Sequence, residues 1–282
     1  MMTCIRLRSE TQYRVEPIAA WQDRSLMTTL THDRRAGIAT ASPARNFYFN
    51  MALACVATAF LGFAPTYWLP MARGNVPPMP IVHVHGLLFF TWTLYFTFQT
   101  WLAASGQTPR HRALGMIGVS LATAMTIMGF LVAVDSMKRS AAIGQADAGI
   151  AFSIVPLSGI LFFAVVFTLA IIANRRPESH KRLMLLASIS LLDAAVARWF
   201  IVFLAPPGPP GPPPVPVTIA PALVAYLLLV VAIVFDWRRE GRPHPVYVYG
   251  GLALVAVKLL NWPISVTPAW HALAGGILAL AR

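Results

Sequence analysis

The chain has 282 residues, 57% of them hydrophobic and only 11% charged, with a formal net charge of +12. That balance excludes an ordinary soluble domain, and repeated apolar runs of about eighteen or more residues define a multi-pass helical membrane protein. The basic charge gathers in alternate loops, which argues for membrane orientation and against nucleic acid, and two cysteines (Cys4 and Cys55) make neither a disulfide framework nor a metal spacing.

Residues 1–46 carry seven arginines and four acids and no apolar core, so they read as a disordered cytoplasmic tail and not as a signal peptide. Met27 could also serve as a start. Residues 47–282 read as an all-α polytopic transmembrane bundle, with seven spans near 47–69, 81–103, 113–135, 150–173, 183–204, 217–236 and 245–262. A last apolar piece, 268–281, follows Pro263 and Pro268; it is short for a crossing and reads as a half-inserted or surface helix. The connector APPGPPGPPPVPV, 205–217, reads as a stiff polyproline segment.

Sixteen of the 22 lysines and arginines fall in the tail and in the 104–112, 174–182 and 237–244 loops. This places the tail and those loops in the cytoplasm and the polyproline connector outside. The same three loops each set a histidine beside basic residues: TPRHRALG at 108–115, RPESHKRLM at 176–184 and GRPHPV at 241–246. A parallel echo accompanies them, since HGLLFF at 85–90 leads to the first of these turns and SGILFF at 158–163 leads to the second.

These residues carry a resemblance. The H-x-H-G of His83, His85 and Gly86, the H-R-x-L-G of His111, Arg112 and Gly115, and the H-K-R-L-M of His180, Lys181, Arg182 and Met184 resemble a family of uncharacterised bacterial seven-helix membrane proteins. Asp236, His244 and Pro245 fit its closing segment. The likeness spans about residues 47–282 and implies the fold and a bacterial inner membrane, with no activity attached. A more distant likeness runs to membrane b-type cytochromes, where helix-end histidines carry haem.

Two readings of the histidines stand side by side. The basic turns can be collars whose cations reach lipid phosphates of an anionic inner leaflet. Alternatively, neutral imidazoles can ligate haem iron or move protons. No span carries two histidines about thirteen residues apart, so at most one haem b is expected. His111 with His180 would hold it at the inner face, and His85 with His271 at the outer face. His83 and His85, two apart on a helix, point in nearly opposite directions, and His85 shares its face with Phe89 and Trp92.

Three charges fall inside spans: Asp193, Arg198 and Lys258. Asp193 and Lys258 lie at nearly the same depth, ~16 and ~19 Å from the inner end, and are expected to pair. Arg198 and Asp193 could also join His83 or His85 in a polar pocket suited to a quinone head group or a proton relay. No P-loop, nucleotide fingerprint or nucleophile elbow occurs. The expected role is therefore redox-associated, with one b-type haem or a quinone bound through helix-end histidines. The alternatives are a non-catalytic membrane protein, structural or assisting assembly, and a small-solute carrier.

Overall fold

Long apolar runs bounded by proline leave the backbone one way to satisfy its hydrogen bonds in hydrocarbon, the helix. The computed structural model describes residues 43–76, 78–206, 208 and 211–281, and no strand occurs among them. The proposed tail lies outside the described residues, apart from its last few, which already belong to a helix.

The first span is α1 (Pro43–Phe63), a π-helical turn (Ala64–Trp68) and α2 (Leu69–Ala72). Then follow α3 (Pro80–Ala104), α4 (Thr108–Ala142) and α5 (Ala146–Ile172). The fifth span is divided into α6 (Pro177–Ser190) and α7 (Asp193–Phe203). The sixth span consists of α8 (Ile219–Ala225) and α9 (Leu227–Glu240), the seventh is α10 (Pro245–Ser265), and α11 (Pro268–Leu280) closes the chain. Among the described residues seven helical segments are long and apolar enough to cross a membrane, and α11 is shorter.

Several boundaries differ from the sequence reading. Pro109, Pro177 and Pro245 each stand in the first turn of a helix, where a missing N–H costs nothing. The basic turns at 108–115 and 176–184 are therefore largely the first turns of α4 and α6 rather than loops, whereas Arg242 and His244 precede α10, with His244 as its N-cap. At its other end α4 runs on past the apolar stretch to Ala142, supported by an Arg139–Asp135 pair one turn apart. Pro263 is accommodated within α10, and the chain breaks at Val266–Thr267, where the Thr267 hydroxyl caps α11 by accepting from the N–H of Trp270.

Around the helices, leucines and isoleucines such as Leu61, Leu87, Ile172 and Leu252 face outward, as lipid contact requires. Between them, small residues let backbones meet. A Cβ at Gly62 would stand 2.6 Å from the Ala195 carbonyl oxygen, so α1 and α7 touch backbone to backbone. The centre is filled by Trp92, edge-on to Phe163 and Phe167 at 5.2 and 5.6 Å, with its indole N–H donating to the Ser188 hydroxyl at 3.3 Å.

Candidate functional sites at three depths

The end of the bundle where α4, α6 and α10 begin is called here the basic end, and the opposite one the polyproline end. At the basic end Arg182 does not reach outward to lipid as the collar reading expects. Its side chain is 1% exposed and turned inward, because Asp236 on α9, also 1% exposed, offers it a fork. Nε and Nη2 donate to the two Asp236 oxygens at 2.8 and 2.9 Å. Nη1 donates to the carbonyl and carboxylate of Glu178, and Nη2 also to Glu240 at 2.6 Å. Lys181 pairs with Glu178 and lies 5.0 Å over the Tyr48 ring, which draws α1 to the same cluster. The Tyr48 and Tyr247 hydroxyls are buried, neither with a hydrogen-bond partner among the described residues. His244 stands at the start of α10, its Nδ1 accepting from the Val246 N–H at 3.2 Å, and burial together with the Arg182 charge lowers its pKa.

Beside this cluster the structure brings His111 and His180 together, with ring centres 6.2 Å apart and the planes nearly perpendicular. They come from α4 and α6, which α5 separates. Tyr95 positions the first: its hydroxyl donates to the Leu114 carbonyl at 2.7 Å and accepts from Gly118 N–H at 3.1 Å. Only glycine permits that approach, since a Cβ at 118 would meet the Tyr95 ring at 2.8 Å. His180 is held by the Ala170 carbonyl, 2.8 Å from its Nδ1; that nitrogen must donate, and in the neutral imidazole Nε2 then carries the lone pair. His111 lies beside the Gln99 backbone carbonyl, and its Nδ1 is buried without a hydrogen-bond partner.

At mid-depth Lys258 donates to Asp193 at 2.6 Å, the pair expected from their matching depths. Lys258 is 4% exposed. The pair lines a water-sized cavity of about 10 Å³ together with Ser158, Ser190, Tyr226 and Asn261. Two helix interruptions fall here, Leu191–Leu192 between α6 and α7 and Tyr226 between α8 and α9, and Pro156 stands within the unbroken α5. Asp193 opens α7, where the helix dipole favours a carboxylate.

At the polyproline end His83 exchanges a 2.8 Å hydrogen bond with Tyr67, and His85 lies 4.1 Å from the Phe89 ring. Arg198 rests over Phe63 at 5.3 Å. The expected single pocket of Asp193, Arg198 and a histidine is thus two: Asp193 goes to Lys258, and Arg198 to the neighbourhood of His85. His271 is engaged with the Ser265 carbonyl at 3.0 Å on α11, which packs on α4 and α5, and no ring contact joins it to His85 among the described residues. No group of three or more histidine, cysteine or acidic side chains able to hold a metal gathers among the described residues. Trp68 was not singled out by the sequence; a π turn has no compositional signature, so its inward rotation could not be foreseen.

No family model, curated protein or solved structure matches this chain significantly.

Proposed function

We propose a redox-associated protein of the bacterial inner membrane, its basic end cytoplasmic, in which His111 and His180 hold the iron of one haem b. The observation that carries this reading is the convergence of two imidazoles from separate spans, each with a nitrogen left open. His111 and His180 would hold the group between them, their ring centres standing 6.2 Å apart. A backbone carbonyl behind a ligating histidine fixes its tautomer and aim, which is the part Ala170 plays for His180. Arg110, Arg112 and Lys181 lie within a residue of the two histidines and supply cations for propionates. A haem held this way would carry single electrons.

The test is spectroscopic. Protein purified in mild detergent from haem-replete cells is expected to show a Soret band that sharpens and shifts on reduction. His111→Ala and His180→Ala should each abolish the six-coordinate spectrum, while His85→Ala and His271→Ala leave it intact. A colourless preparation sinks the reading and leaves a non-catalytic membrane role. Orientation has its own check: alkaline phosphatase inserted near Gly211 should be active, and near Ser179 inactive.

A second reading, a small-solute carrier, is favoured by the mid-depth cavity. Interrupted helices around a buried ion pair are the features on which many carriers build their binding sites. Uptake that depends on Asp193 and Lys258 but not on His111 would support it over the haem reading.

A further inference from the structure

Arg198 is the anomaly of the polyproline end. It is part-buried within the fifth span, yet makes no hydrogen bond or ion pair among the described residues; its one contact of note is the Phe63 ring. Two further nitrogens are left open close by. His85 Nδ1 and Trp68 Nε1 are both buried without a partner. Arg198 is near enough for its charge to act on His85. Trp68 approaches the same place through Phe90, which it meets at 4.8 Å and which in turn meets Phe63 at 5.6 Å. The π turn that carries Trp68 packs on α7, the helix of Arg198.

A guanidinium within a span is costly unless something answers its charge. Arg198 and Trp68 can only donate, and His85 can donate from Nδ1; none of the three brings a negative charge. The walls are aromatic. We propose that this is a binding site for an amphiphile with an oxyanion head, a carboxylate or phosphate taken by the Arg198 fork. The Trp68 and His85 N–H groups supply further donors, and the apolar tail lies against Phe60, Phe63 and Phe90. A neutral carbonyl ligand such as a quinone would leave the cation unanswered, so charge selects the anion. This site is independent of the haem reading.

The probes are oleate, dioleoyl phosphatidylglycerol, neutral oleyl alcohol and decylubiquinone, added to delipidated protein in neutral detergent. The measurements are binding and the thermal midpoint. The anions should bind and raise the midpoint, since a ligand of the native state stabilises it, and the neutral probes should do neither. Arg198→Gln should weaken anion binding by about ten- to a hundredfold. Trp68→Phe, which keeps the ring and loses the N–H, should weaken it severalfold. Response to oleate alone assigns a fatty carboxylate, and response to phosphatidylglycerol assigns a lipid phosphate. The proposal is overturned if neither anion binds, if the neutral probes bind as well, or if Trp68→Phe binds the anions like the parent. The Trp68 and neutral-probe arms decide the matter even where Arg198→Gln fails to fold.

Discussion

Arg182 and Arg198 are sixteen residues apart on the same span and have opposite fates. Arg182 places its guanidinium among Asp236, Glu178 and Glu240, with each of its three nitrogens donating to a carboxylate. Among the described residues Arg198 makes no such bond and rests over an aromatic face. A buried charge that is fully answered ties helices together; one left open is a place for something else to bind. The same residue type, at two ends of one interrupted helix pair, thus serves first as a clamp and then as a receptor.

The comparison breaks most sharply by replacing each arginine with methionine. Arg182→Met strands Asp236 in the interior and should cost about 3–5 kcal/mol, read as a large drop in detergent thermal midpoint. Arg198→Met strands no acid and should leave the ligand-free midpoint unchanged or raised. Equal losses at both positions would mean that Arg198 is also a tie.

Next in size is the mid-depth pair. Asp193→Asn should lower stability by about 1–3 kcal/mol, since Lys258 is then left charged and buried. Adding Lys258→Met should recover part of that loss. Simple addition of the two effects in a double-mutant cycle would show that the pair contributes no coupling.

The smallest effect concerns pH and the clamp's border. The pKa of His244 is lowered in the folded protein, so the unfolded chain binds the extra proton more readily and stability declines as pH falls below the ordinary histidine value of 6.5. A protonated Nδ1 cannot accept from Val246, which removes a cap worth about 1 kcal/mol. His244→Asn, which keeps a capping oxygen, should flatten the midpoint between pH 6.5 and 5; an unchanged slope would assign it to other groups.

What the sequence made legible follows from what is local or additive along a helix. The seven crossings could be read because apolar length is a local property. Asp193 and Lys258 could be matched because depth is a count of residues times rise. His111 and His180 could be offered as one of two histidine pairings because both stand in basic turns at the same end of the bundle, and the sequence left the choice between the pairings open. Arg182 with Asp236 escaped because the partners are 54 positions apart and both stand at span ends, where charge needs no explanation. The division at Leu191–Leu192 escaped as well, since two leucines carry no break signal and only tertiary packing interrupts the helix there.

The π turn at Ala64–Trp68 puts one residue more into a turn than an α-helix holds. Deleting a single residue from it would leave the span, 27 residues from Asn46 to Ala72, still long enough to cross. A deletion that relaxed this turn to the α form would keep the flanking helix in register, and the side chains re-aimed would be those of the turn itself, the Trp68 indole that meets Phe90 and the Tyr67 hydroxyl that meets His83. An insertion or deletion of one residue at this point therefore toggles the pocket while sparing the crossing, a step by which descendants of one ancestral bundle could gain or lose a ligand without relearning how to fold.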